Sequence, residues 1–207
     1  MRWLVLSVLP LIWSCERPDT IAPRITLLPD PQPVHYLDEP YVDPGASVLD
    51  NLTCNTEGML YTDSQVDVSH YGSYQVIYTA TDEAANSQTA VRDVDIVLAT
   101  TNYHHLYYQA TDTCTSGIYT YVGLIQDCDC EGQEVTVANI SNFGLSATFD
   151  LPVTGIYNEI LELDTLKTGV YFLGNATMSS GADTLFWTYT ITADGDEDVC
   201  HSQWVKE

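Results

Sequence analysis

The chain has 207 residues, 45% of them hydrophobic, and carries 6 Lys plus Arg against 29 Asp plus Glu for a formal charge of −23. Phosphate backbones and anionic lipid headgroups both require basic patches, so this balance argues against nucleic-acid binding and against unaided adsorption to a membrane. An acid excess of this size supports solubility in an aqueous compartment, with weak binding of divalent cations as its lesser use.

Met1 and Arg2 precede an apolar run from Trp3 to Trp13, closed by Ser14 and Cys15. An apolar stretch this short, after a cation, reads as a secretory signal rather than a membrane span. The ending Leu11, Ile12, Trp13, Ser14, Cys15 resembles a bacterial lipobox. That resemblance implies cleavage before Cys15, lipidation of its thiol and acylation of the new amino terminus by chains of the palmitate kind. Residues 1–14 are then the signal peptide and 15–21 a tether. Several acyl chains, at about 0.8 kcal/mol per buried methylene, hold a protein on a membrane without a spanning helix. Loss of Arg2 takes the charge from −23 to −24. The expected location is the cell envelope, as an outer-membrane lipoprotein. Both membrane faces stay open, because Glu16, Arg17, Pro18 and Asp19 match acid-rich export signals of Bacteroidota poorly.

From Arg24 to Leu98 short apolar segments alternate with turns rich in Pro, Asp, Gly and Asn, a strand rhythm without helical periodicity. In Ser73 to Thr81, Tyr74, Val76, Tyr78 and Ala80 fall on one face, as in a half-buried antiparallel strand. Three blocks stand in order: Tyr41 to Ala46, Tyr71 to Asp82, and Ala90 to Val97. They resemble the bacterial immunoglobulin-like module of pesticidal crystal proteins and of Bacteroidota surface lipoproteins, close to the hyalin-repeat class. The resemblance implies a β-sandwich over residues 22–98 that serves as a spacer or adhesive repeat. Where that family often has Gly before Asn, this chain has Ala85 before Asn86, and Asn86 is able to take the left-handed conformation. Asp43, Asp50, Asp82 and Glu83 sit near strand ends, where calcium finds oxygen ligands, but turn capping through backbone bonds is the plainer reading.

After the short link Ala99, Thr100 and Thr101, residues 102–207 read as about eight strands at hairpin spacing. They are expected near His104–Gln109, Gly117–Leu124, Glu134–Ala138, Leu145–Leu151, Ile160–Leu163, Gly169–Gly174, Asp183–Thr192 and Cys200–Val205. Such a meander closes into an antiparallel barrel or sandwich that hides its edges. The whole chain is therefore all-β. The order of Val135 to Gly144, Gly174 to Ser179 and Leu185 to Ile191 is similar to a C-terminal β-domain of Bacteroidota lipoproteins whose role is unknown, and this resemblance brings no active site with it. Asp194 to Asp198 alternates like an EF-hand start, but Val199 takes the Gly position and Val205 the bidentate Glu position, so a solvated hairpin tip is expected.

Cysteine usage fits export. With Cys15 assigned to lipid, Cys114, Cys128, Cys130 and Cys200 read as two disulfides in an oxidising compartment. A Cys128 to Cys130 bond would close a strained ring, which leaves 114 with 128 and 130 with 200, or 114 with 130 and 128 with 200. Four thiolates also suit zinc, although the Cys-x-Cys spacing is shorter than the usual knuckle, and no metal or other cofactor is assigned. Cys54 is expected to be a buried free thiol or an intermolecular one.

No nucleophile elbow, His-Glu-x-x-His helix or phosphate loop is present, and His35, His70, His104, His105 and His201 are scattered. The leading expectation is a non-enzymatic, lipid-anchored envelope protein whose Ig-like spacer presents a β-domain to a protein or glycan. Fourteen Tyr and four Trp keep open a carbohydrate-binding accessory of a polysaccharide-uptake system. A small-ligand carrier built on the second β-domain is a third possibility.

Overall fold

The computed structural model describes residues 18–207 apart from 33, 53–55, 57, 128–133, 143, 151–160 and 168. The signal segment, Cys15, Cys54, Cys128 and Cys130 lie outside the described residues, as do the expectations placed on them. The fold is all-β, and no helix among the described residues is long and apolar enough to cross a membrane.

The first part is an Ig-like β-sandwich. Strand β1 (Arg24–Leu27) pairs with β3 (Ala46–Leu49), and a second sheet takes the order β2 (His35–Tyr36), β6 (Ser87–Val97), β5 (Gly72–Thr81), β4 (Leu60–Ser64). The alternation expected in β5 holds: Val76, Tyr78 and Ala80 are fully buried, while Ser73, Gln75 and Thr81 face solvent. Arg92 of β6 is buried and ties the two sheets together. Its guanidinium donates to the Leu28 and Gly45 carbonyls at 2.7 and 3.0 Å and pairs with Asp43 at 3.3 Å.

The turn between β5 and β6 departs from expectation in one respect. Ala85, not Asn86, is the residue with positive φ, at +68°. Asn86 is held instead by its own bonds to Asp82, with its N–H donating to Oδ1 and its side-chain amide to Oδ2, both at 2.8 Å. That double grip fixes the turn and leaves the strained conformation to its neighbour.

The second part is an eight-stranded antiparallel sheet, nearly closed into a barrel. Its strands are β7 (His105–Cys114), β8 (Gly117–Asp127), β9 (Glu134–Ile140), β10 (Leu145–Asp150), β11 (Leu161–Lys167), β12 (Val170–Met178), β13 (Thr184–Ala193) and β14 (Asp196–Lys206). Their order is β10-β9-β8-β7-β14-β13-β12-β11, and β10 comes close to β11 at the seam. Each expected strand is present, most of them longer than the sequence suggests. The C-terminal strand β14 inserts between β7 and β13, which makes the sheet one continuous surface.

Inward-facing residues fill the interior. Trp187, Trp204, Tyr108, Tyr189, Phe172 and Ile125 are all buried to within 2%. Gly123 is required by this packing, because a β-carbon built on it would lie 2.3 Å from the Trp204 ring. Among the described residues, Asp112 on β7 is a fully buried acid inside the barrel.

Strand polarity gives the barrel two ends. One carries the start of β7, the β12–β13 connection and the end of β14, and it meets the Ig-like sandwich: the Tyr71 hydroxyl donates to the Met178 carbonyl and the Tyr71 N–H to the Ser180 carbonyl, both at 2.8 Å. The other carries the β7–β8, β9–β10 and β13–β14 turns. A ten-residue strand such as β7 spans about 33 Å, so the two ends are well separated.

Candidate functional site

The far-end turns enclose an open cleft of about 980 Å³, with Thr115, Ser116, Ile118, Tyr119, Ser141, Asn142, Ile191 and Asp194 among its walls. Each wall follows from local sequence chemistry. Asp194 and Gly195 form the two-residue tip of the β13–β14 hairpin with φ of +52° and +90°, the mirror-image turn that Asp-Gly favours. The expected solvated hairpin tip is therefore what the structure shows.

Asp198, just inside β14, accepts from the Thr115 hydroxyl at 2.5 Å, from the Ser116 N–H at 3.0 Å and from the Ser116 hydroxyl. The Ser116 hydroxyl and then the Thr115 hydroxyl hold its carboxyl below the usual carboxylate range, so it stays ionised. It thereby locks the β7–β8 turn onto β14.

Under that lock lies the Cys114–Cys200 disulfide, which corrects the pairings expected from sequence. Cys114 and Cys200 face each other across the β7–β14 ladder. Because the Thr115 N–H donates to the Val199 carbonyl at 3.0 Å, the adjacent cysteine pair occupies a non-hydrogen-bonded position, where Cα atoms approach most closely. Their 4.0 Å Cα separation follows. Bonded cysteines cannot serve zinc, so the four-thiolate alternative loses two of its ligands.

The opposite wall is the β9–β10 turn, in which Asn139, Ser141 and Asn142 all adopt positive φ, at +64°, +53° and +58°. The Asn139 side chain donates to the Val122 carbonyl at 2.7 Å, and the Ser141 N–H donates to the Tyr121 hydroxyl at 2.9 Å. Tyr121 is anchored in turn. Its hydroxyl donates to Asp112 at 3.0 Å and accepts from the Trp204 indole at 3.2 Å. Asp112 also accepts from Tyr189 at 2.5 Å and from the Ser202 hydroxyl, so one buried carboxylate gathers β7, β8, β13 and β14 beneath the cleft. Burial pushes the Tyr121 and Tyr189 hydroxyls far above the ordinary tyrosine range, which keeps them neutral donors. Sequence reasoning missed Asp112. The only available signal was its place in the alternation of β7, in phase with Tyr108 and Ala110.

Other residues singled out in the sequence are dispersed. Asp50 and Asp82 come together with Asp19, their carboxylates within 4.8 Å, at the end of the sandwich bearing the β5–β6 turn. Each caps a turn, accepting from the N–H of Leu52, Asn86 and Ile21 respectively, as the plainer reading expects. Asp43 is drawn away to Arg92 and to the Tyr78 hydroxyl at 2.5 Å. His35 pairs with Asp30 and His70 with Asp67, each at 3.0 Å, while His105 binds the Glu207 carbonyl and His201 the Thr188 hydroxyl. These four histidines have separate local partners.

Residues 25–96 match the family model of the bacterial surface protein Ig-like domain. Among solved structures, this chain is similar to the crystal structure of a lipoprotein from Bacteroides thetaiotaomicron, over 87% of this chain and 98% of that one, at 18% identity and a TM-score of 0.33. A likeness that slight carries no argument. No curated protein matches the chain.

Proposed function

We propose that this is a non-enzymatic, lipid-anchored protein of the bacterial cell envelope whose Ig-like domain carries the barrel outward and presents its far-end cleft to a partner. The observation that carries the reading is the polarity of the barrel: the Ig-like domain meets one end, through Tyr71 and Met178, and the cleft opens at the other. The match of residues 25–96 to a bacterial-surface Ig-like family supports the location. Residue 19 lies beside the β5–β6 turn, where the Asn86 amide donates to the Asp19 carbonyl at 3.2 Å, while Tyr71, just before β5, touches the barrel. The chain therefore enters the sandwich at the end away from the barrel, which suits an anchor at Cys15.

A spacer of this kind must be rigid along its length, and the Arg92 clamp between the sheets together with the Tyr71 bonds to the barrel supplies that rigidity. The filled barrel interior directs binding to the cleft rather than to an internal chamber. Metabolic labelling with a palmitate analogue, combined with protease treatment of whole cells, tests the proposal. Label lost in Cys15→Ala and removal of the barrel by external protease are expected. An unlabelled protein, or one retained in the cytoplasm, would overturn the anchored reading.

A further inference from the structure

We infer that the far-end cleft receives a positively charged peptide segment on the surface of a partner protein, a reading that rests on the presentation role proposed above and names the partner's chemistry. Its walls are fixed before any ligand arrives. Asp198 and the Cys114–Cys200 disulfide lock the β7–β8 turn on one side. On the other, the left-handed residues of the β9–β10 turn are held from beneath by Tyr121 and Asp112. Three non-glycine residues in that conformation cost about 1–2 kcal/mol each, a strain that persists only where the surroundings over-determine the shape. Such preorganisation lowers the ordering cost of binding.

The cleft's exposed chemistry is two-sided. Tyr119, in phase with the inward-facing Tyr121, is 48% exposed and gives an apolar surface at the mouth of an otherwise filled barrel, while its neighbour Ile118 is 71% exposed on the other face of β8. In the same cleft, Asp194, Asp196 and Glu197 stand in solvent without a hydrogen-bond or ion-pair partner among the described residues, and no basic residue is among those lining the cleft. Lys or Arg side chains of one segment satisfy both halves, a stem lying on Tyr119 and the cationic heads pairing with the carboxylates one by one rather than at a single point. A neutral sugar leaves those carboxylates unmatched. A metal ion needs about six converging oxygens, whereas Asp196 and Glu197, adjacent on a strand, point to opposite faces. The formal charge of −23 adds long-range steering of a cationic partner.

Net charge alone attracts any polycation, so the test compares charge-matched variants of the full chain. The probe is a fluorescein-labelled peptide alternating lysine and leucine, followed by fluorescence polarisation at physiological salt, with a glutamate and leucine peptide as control. One triple variant carries Asp194→Asn, Asp196→Asn and Glu197→Gln; the other carries Glu39→Gln, Asp63→Asn and Glu83→Gln on exposed positions of the Ig-like domain. The cleft variant is expected to bind the peptide about tenfold more weakly and the second variant less than about threefold. Tyr119→Ala, on β8 beside the β7–β8 turn, should weaken binding several-fold without changing charge. Equal losses in the two triple variants, saturable binding of the acidic peptide, or unchanged binding in Tyr119→Ala would overturn the assignment. Because surface exposure and acylation are read separately, such a failure with the protein still displayed rejects the partner class and leaves the presentation role standing.

Discussion

The Tyr189 hydroxyl donates a 2.5 Å hydrogen bond to the Asp112 carboxylate in the middle of the barrel, 77 positions away in the chain. Around that bond the Tyr121 and Ser202 hydroxyls complete the carboxylate's coordination, so a fully buried acid is accommodated by neutral donors drawn from three other strands. The network links barrel closure to the shape of the cleft through Tyr121 and Ser141.

Removal of the acceptor is expected to cost more than removal of one donor. Asp112→Ala strands three buried hydroxyls and should destabilise the protein by about 3 kcal/mol or more, while Tyr189→Phe should cost about 1–2 kcal/mol. Urea unfolding followed by tryptophan fluorescence reads both, since Trp187 and Trp204 lie in the same interior. The double variant should show less than the sum, as members of one network do. A wild-type midpoint for Asp112→Ala would remove the network from the account of stability.

Stability should fall at alkaline pH. Burial raises the Tyr108, Tyr121 and Tyr189 hydroxyls above the ordinary value of 10.0. The folded state then holds protons that the unfolded state releases, so the stability is fully present below about pH 10 and declines as pH rises beyond it. Tyrosinate absorbance should appear in two stages, exposed tyrosines first and the buried three only together with loss of the circular-dichroism signal. Smooth titration of all tyrosines in a protein still folded would contradict this.

Reduction of Cys114–Cys200 should be costly because the bond closes a long loop. For a sequence separation of 86, the chain-entropy relation gives about 4.6 kcal/mol. Thermal melts of Cys114→Ser/Cys200→Ser, and of wild type with reductant, are expected to shift down together. A melt insensitive to both would show that the hydrogen-bonded ladder alone holds β14 to β7.

Ala85→Gly should stabilise the Ig-like domain. Relief of a left-handed alanine gains about 1–2 kcal/mol, partly offset by the about 0.4–1 kcal/mol of added freedom in the unfolded chain. A net gain of about 0.5–1 kcal/mol in denaturant unfolding is expected, with Ala85→Val shifting stability the opposite way.

Arg92→Met should destabilise the sandwich by about 3 kcal/mol, because it leaves Asp43 and two backbone carbonyls without their buried cation. Adding Asp43→Leu should recover part of the loss, since a partly buried carboxylate left without its cation is what makes the single variant severe. No recovery in the double variant would mean that the bonds to Leu28 and Gly45 carry the effect.

Much of the architecture was legible in the chain. The period-two alternation from Ser73 to Thr81 identified the face that Val76, Tyr78 and Ala80 bury, and the turn residues located all eight barrel strands, because both signals are local and depend only on backbone geometry and side-chain polarity. Asp-Gly at 194 and 195 announced its hairpin for the same reason. The disulfide was misassigned because pairing depends on strand order. Only insertion of β14 between β7 and β13 sets Cys200 opposite Cys114, and no local pattern encodes which strand a C-terminal segment joins. Asp112 stayed hidden on similar grounds: an acid flanked by two threonines reads as solvated until Tyr121, Tyr189 and Ser202 converge on it from distant positions.

The sequence by itself thus determined the all-β class, the strands, an Ig-like first half and a strongly acidic surface, all of which follow from composition and short-range periodicity. Tertiary structure alone decided which turns share one end of the barrel, which cysteines meet and where the cleft opens, since each depends on contacts between residues tens of positions apart.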